Sequence, residues 1–387
     1  MATDMMGIGG TVGILGGGQL GRMMSMAARA MGIRTVIWDP VPSSPAFVVA
    51  DGSLALPYDS AEALGTFLSQ VDRVTYEFEN IDWELAQRIA EDKPVFPHPR
   101  ILRTSQERVR EKDTAREWGL STTPYRRVGS VSEVVQAVRE LGSPGVLKTV
   151  TGGYDGKGQV VIREVSEAAQ AFAALAGAGP YIYEKWVHFV REVSVVVARD
   201  VQGTIVTYPV TENHHHHGIL DYSIVPARIS AAQRTLVEES ARRLASGLQL
   251  VGVMALEFFV SEDGAVLFNE MAPRPHNSGH WTIEAAWPSQ FTQHMRAVAG
   301  WPVVPPRWWG PAVMINLLGD LFLDGQWSRV TQVATLDGVQ IHWYEKREMR
   351  PGRKVGHLTI VADSLDRALE QARMAKRLLG GEWNDGS

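Results

Sequence analysis

The stretch TVGILGGGQLGRMMSMAARAMGIRTVIWD, residues 11–39, limits the fold of this chain more than any other. It opens on a short apolar run, turns through glycines, and continues with apolar residues at helical spacing up to a glycine stop. A second apolar run follows. Strand, helix, strand is a βαβ unit, so the first part of the chain is expected to build a parallel sheet. Gly16, Gly18 and Gly21 also fit the GxGxxG pattern that seats a dinucleotide pyrophosphate, and Asp39 ends the second strand where a ribose partner would stand. One reading is therefore an NAD-dependent oxidoreductase. The other is that the glycines only make the tight turn from strand to helix.

At 387 residues, two or three domains are expected. The first region is expected to close near the prolines of VFPHPR. Residues 105–120, SQERVREKDTAREWGL, read as one charged helix. Strands and glycine loops follow from SPGVLKTV, with helices at SEAAQAFAALA and AAQRTLVEESARRLASGL. A third, strand-rich region begins after WPVVPPRWWGP and ends in the helix LDRALEQARMAKRLLG. The resulting boundaries are 1–110, 111–300 and 301–387.

With no cysteine, the chain has no disulfide, thiolate metal site or cysteine nucleophile. A net charge of −5 without a basic tail argues against a nucleic-acid partner. No apolar run reaches the roughly 18 residues of a spanning helix, and MATDMMGIGG lacks the features of a secretory leader. A cytoplasmic protein with no membrane partner is expected.

A second glycine loop, TGGYDGKGQ (151–159), is not a Walker A loop, because Gly158 follows Lys157. It follows a strand that carries Lys148. A strand lysine beside a glycine flap can grip nucleotide phosphates, although a plain glycine-rich hairpin has the same composition. VMALEFFV-SEDG-AVLFNEM reads as a hairpin. If Val260 pairs with Ala265, Glu257 and Glu270 are diagonal neighbours on one face and Asn269 points away unless a bulge re-aims it. Two carboxylates in an apolar setting suit Mg²⁺, and a solvated acidic face is the alternative. The next segment, Arg274-Pro-His276-Asn277-Ser278-Gly279-His280, presents donors suited to an oxyanion. KREMRPGRKVGH puts Lys346, Arg350, Arg353 and Lys354 on one basic turn, either a phosphate site or a solvated loop.

The ordered series GGGQLG, YEFEN, GGYDGKGQ, EKWV, NHHHHGIL, LEFF, NEMAPRPHNSGH and RPGRKVGH resembles the ATP-grasp superfamily. Within it the chain is similar to N5-carboxyaminoimidazole ribonucleotide synthetases over residues 11–380. The resemblance implies an α/β and α+β chain. A Rossmann-like pre-ATP-grasp domain without a dinucleotide would precede an ATP-grasp domain of two subdomains and a small β-rich C-terminal domain. It further implies that ATP phosphorylates bicarbonate to carboxyphosphate. That species, or CO₂ released from it, would carboxylate 5-aminoimidazole ribonucleotide, with ADP and phosphate as products. Mg²⁺, or Mn²⁺ in its place, and a homodimer are implied as well.

Mapped onto this sequence, the family pattern gives Arg108 and Lys148 to the ATP phosphates, under a loop of Gly153, Tyr154, Asp155, Gly156, Lys157, Gly158 and Gln159. Tyr154, Asp155 and Lys157 would also face the imidazole nucleotide. Relatives often carry arginine at position 157, and a lysine lacks its planar fork. Glu184, Lys185, Trp186 and Val187 would read adenine, with Glu192 on the ribose. Glu257 and Glu270 would hold the metal, with Asn269 beside them. Arg274, His276 and Asn277 would form the bicarbonate pocket, with Asp155 also catalytic and Ser278 on the substrate side. Lys346 and Arg353 would grip the 5′-phosphate, and Glu79 would face the same substrate. Formate-dependent glycinamide ribonucleotide transformylase and biotin carboxylase are rivals that share the same grasp.

ENHHHHGIL holds four consecutive histidines. The family's Asn-x-His pattern falls on Asn213 and His215, making His215 the one nucleotide contact. On an extended strand His215 and His217 could share a face, which gives at most two ligands, short of a usual zinc set.

Overall fold

The computed structural model describes residues 5–7, 9–152, 158–175, 179–346 and 348–383. Strands Thr11–Leu15, Arg34–Trp38 and Arg73–Tyr76 lie parallel, with the short strand Gly52–Leu54 on one edge. This is the parallel sheet that residues 11–39 required. Val12 and Ile14 pack on Met23 and Met24 of the helix Gln19–Ala30, while Leu15 and Trp38 pack with Phe67 on other helices. KPVFP (93–97), whose apolar residues suggest a further strand, does not form one. Val95 makes only an isolated bridge to Val74, because prolines on both sides remove ladder donors.

The helix expected over 105–120 is broken. One helix, Pro99–Gln106, starts at a His98 cap, and a second runs Arg108–Glu117. Glu107 between them is extended, and the Arg108 N–H donates to the Val150 carbonyl at 2.9 Å instead of continuing the helical ladder.

An antiparallel four-stranded sheet follows, in the order Tyr125–Val128, Tyr181–Lys185, Gly145–Thr149 and Gln159–Ile162. Helices Val131–Leu141 and Ala168–Ala174 cover one face. A nine-stranded sheet follows, counting the short Ile205–Thr207 paired beside Phe189–Arg199. It runs from the hairpin Val266–Ala272 and Gly252–Ser261 through Phe189–Arg199, Thr211–His216 and Ile219–Val225, with Ala231–Gly247 packed across it. The sheet then continues without interruption into Ala312–Leu318, Lys354–Val361 and Val339–Trp343. The strands of the third region are thus an extension of the second region's sheet. Ile224 pairs with Val313, and the two lie in one core with the C-terminal helix Leu365–Leu378.

Candidate active site

A cleft of about 630 Å³ lies between the four-stranded sheet, the nine-stranded sheet and the carboxyl ends of the first sheet's strands. The hairpin carries its acidic pair. Its register begins at Val260 opposite Val266, one residue from the expected pairing, and shifts between Glu257 and Phe258. Glu257 therefore stands directly opposite Glu270, not diagonal to it, and Asn269 is the extra residue of the bulge. All three line the cleft. Burial, then the facing Glu270, pushes Glu257 up to about 8, while His215 works the other way. Two such carboxylates with a neighbouring amide are a hard oxygen set that fits Mg²⁺ or Mn²⁺, since a cation between them lets both ionise.

His215 lines the cleft as expected, its Nδ1 paired with Glu192. Burial lowers its pKa, but Glu192, Glu257 and Glu270 outweigh that and hold it above the usual imidazole range. The other histidines diverge. A bulge between His214 and His215 breaks simple alternation, and His214 stacks on Tyr222 with ring centroids 4.3 Å apart and bonds Glu212. His217 lies beyond the strand at φ +50°, so it does not share a face with His215 on an extended segment.

Lys148 and Arg108 both line the cleft. Lys148 Nζ bonds Glu184 at 2.8 Å, and buried Lys112 approaches the same carboxylate at 3.4 Å. Burial acts against ionised Glu184, but the two lysines prevail and hold it at about 2. Arg108 lies 3.7 Å from Glu270. Lys185, Trp186, Val187, Glu192 and Gln159 line the wall, beside Gly158 at φ +73°. Gly153, Tyr154, Asp155, Gly156 and Lys157 lie outside the described residues.

The loop after the hairpin brings Arg274, His276 and Asn277 to the cleft. Arg274 Nε bonds Glu79 at 2.5 Å, which ties the first domain to this loop. Burial disfavours Arg274's charge, but Glu79 more than restores it, and the guanidinium in turn holds Glu79 low. His276 Nε2 is 3.4 Å from Glu257, while burial and Arg274 keep its ring neutral. Asn277 Nδ2 is buried without a hydrogen-bond partner. Ser278 departs from the expected substrate contact. It is fully buried, and its hydroxyl bonds Ser194 and His276 Nδ1, so it orients His276 instead.

At the carboxyl end of strand Thr11–Leu15 the dinucleotide reading fails. The Gly18 and Gly21 N–H groups donate to the Glu77 carboxylate at 2.5 and 2.7 Å, filling the seat a pyrophosphate would need. Asp39 accepts from Gly17 and Val41 and is likewise engaged. Gly16, at φ +97°, has no room for a Cβ beside Glu77. Burial and Arg353 bring Lys346 down to about 8, against the pull of Glu77. Arg353 pairs with Glu348 at 3.1 Å. Neither Lys346 nor Arg353 is among the residues lining the cleft; of the basic turn, Lys354 is the one that does.

Gln19, Glu77 and Glu111 line the cleft and Lys112 pairs with its Glu184, and motif reading missed all four. The helix Arg108–Glu117 held one signal. It is too charged to own an apolar stripe, yet it buries Glu111 and Lys112, so charges had to be its inward face.

The fold and site are those of an ATP-grasp enzyme. The ATP-grasp domain model matches residues 113–291, the ribonucleotide synthetase preATP-grasp domain 9–106, and the phosphoribosylaminoimidazole carboxylase C-terminal domain 312–371. The N5-carboxyaminoimidazole ribonucleotide synthase of Bacillus subtilis strain 168 is 42% identical over 94% of both chains. An N5-carboxyaminoimidazole ribonucleotide synthetase crystallised with ADP superposes at TM-score 0.91 and 42% identity, covering 97% of this chain and 99% of the other. The Aspergillus clavatus enzyme, in complex with ADP and 5-aminoimidazole ribonucleotide, superposes at TM-score 0.89 and 29% identity, covering 96% and 99%. The chain belongs to the N5-carboxyaminoimidazole ribonucleotide synthase family.

Proposed function

We propose that the chain carboxylates 5-aminoimidazole ribonucleotide to N5-carboxyaminoimidazole ribonucleotide, using ATP and bicarbonate, in purine biosynthesis. The observation that carries this is one continuous run of strand and loop. It puts Glu270 opposite Glu257 and delivers Arg274, His276 and Asn277 to the same cleft a few residues later.

A bicarbonate oxygen attacks the γ-phosphorus of ATP and ADP leaves, giving carboxyphosphate. The exocyclic amine then attacks the carboxyl carbon, phosphate departs and the amine loses a proton. Glu257 and Glu270, with Asn269 alongside, would hold Mg²⁺ or Mn²⁺, which neutralises phosphate charge when bound. Lys148 and Arg108 align the phosphates, and the 153–159 loop excludes water from the labile intermediate. Arg274 and the unpaired Asn277 amide hold the bicarbonate and the charge that develops on it. His276, its imidazolium disfavoured by burial and Arg274, stays neutral and hydrogen-bonds within the bicarbonate pocket instead of taking a proton. Lys346, Arg353 and Lys354 supply positive charge for the 5′-phosphate, with Glu79 and Gln19 at the substrate side. His215 and Glu192 serve the ATP ribose end. The working form is a cytoplasmic homodimer of three domains, with the third joined through a shared sheet. Among the described residues, no helix is long and apolar enough to cross a membrane.

The test is a coupled ADP-release assay. Release should require bicarbonate and 5-aminoimidazole ribonucleotide together. Equal turnover with glycinamide ribonucleotide and formate would refute the assignment.

A further inference from the structure

Outside the substrate cleft, His342 and His357 are direct cross-strand partners on Val339–Trp343 and Lys354–Val361. Their rings stack with centroids 4.5 Å apart. Glu284, on the short helix Thr282–Ala285, bonds His342 Nε2 at 2.5 Å. Ligand-type atoms of these three side chains all lie within 4.8 Å of one another, the one such group among the described residues. Two further facts point to a guest. Glu284 Oε2 and His357 Nε2 are buried with no hydrogen-bond partner, and so is Nε2 of neighbouring His280, whose ring lies 4.7 Å from that of His357. Buried polar groups left unsatisfied in one cluster call for a water or an ion. His357 Nδ1 meanwhile meets the Tyr344 hydroxyl at 2.7 Å, the outer contact that fixes which nitrogen of a ligating histidine faces a metal.

We propose that Glu284, His342 and His357 form a second cation site, for a divalent metal of the zinc class. Two imidazoles and a carboxylate are the donors that zinc accepts, and they differ from the all-oxygen set of the cleft. Zinc bonds of about 2.0–2.2 Å place ligand atoms about 3.3–3.6 Å apart, so rotamer adjustments are enough to close the site. The His342 side chain is 26% exposed, which leaves a path for entry. A bound ion would pin the two C-terminal strands to the segment after His280. Gln290 extends that link, since its amide nitrogen meets His280 Nδ1 at 3.3 Å and donates to the His276 carbonyl at 2.7 Å.

His216 and His217, with ring centroids 4.0 Å apart, are a weak two-histidine competitor for zinc, so the test starts from full-length protein carrying His216→Ala and His217→Ala. This parent is loaded with Zn²⁺, desalted, and its zinc measured by plasma mass spectrometry. About one zinc per chain is expected. His342→Ala and Glu284→Gln, added separately, should each lower retained zinc about tenfold. Melting without metal shows that each variant is folded, and Zn²⁺ should raise the parent's Tm but not that of His342→Ala. A parent that retains no zinc, or variants that retain as much as the parent, would overturn the site and leave water as the occupant.

Discussion

Neighbouring histidines in one run do different work, because each residue's surroundings decide its chemistry. His215→Ala removes the imidazole paired with Glu192 beside Glu257 and should raise the KM for ATP in steady-state assays. His214→Ala should leave ATP use unchanged but cost about 1 kcal/mol in urea unfolding, since its ring stacks on Tyr222. Arg274→Ala should lower product formation by about 100-fold or more, measured as ADP released with all substrates present. Glu184 gives a pH prediction. Its pKa drops from an ordinary 4.5 to about 2 on folding, so its contribution is complete above about 4.5 and is lost as pH falls through 2. Urea unfolding across that window should show the loss. Glu184→Gln should abolish this part of the slope and destabilise the fold by about 3–5 kcal/mol at neutral pH, because Lys112 stays buried without its carboxylate.

At the level of elements, two irregularities build the site. Glu107 interrupts what would otherwise be one helix, and the Arg108–Glu117 helix then enters the cleft at an angle that puts Arg108, Glu111 and Lys112 against the acidic pair and Glu184. The Asn269 bulge adds an amide beside Glu270, which faces Glu257. Deleting Asn269 should restore a regular ladder, keep Glu270 opposite Glu257 and lower metal-dependent ADP release by removing the amide beside the pair. A deletion variant that kept near-normal turnover would show that the Asn269 amide has no such role. Elements were legible where a local period was long and clean, as in Thr11–Leu15, Gln19–Ala30, Ala231–Gly247 and Leu365–Leu378. A one-residue bulge leaves no period to read, because the residue it adds is an ordinary strand residue.

For the whole molecule, the shared sheet is the dominant fact. Truncation after residue 311 would expose the Ile219–Val225 edge together with Tyr222 and Ile224, so residues 1–311 should aggregate on expression. A soluble, monodisperse fragment would mean that the third region is independent after all. Sequence alone determined the α/β start, the absence of thiol chemistry, the acidic pair, the cationic loop residues and the family they mark together. Those depend on residue type and short spacing, which the chain carries locally. Tertiary structure alone decided that Glu77 fills the first glycine turn, that Lys112 and Lys148 share Glu184, that Glu79 clasps Arg274 from 195 residues away, and that Ser278 faces inward. Each of these joins charges or hydroxyls distant in the chain. Burial, which makes such pairings strong, arises only once the sheets have closed around them.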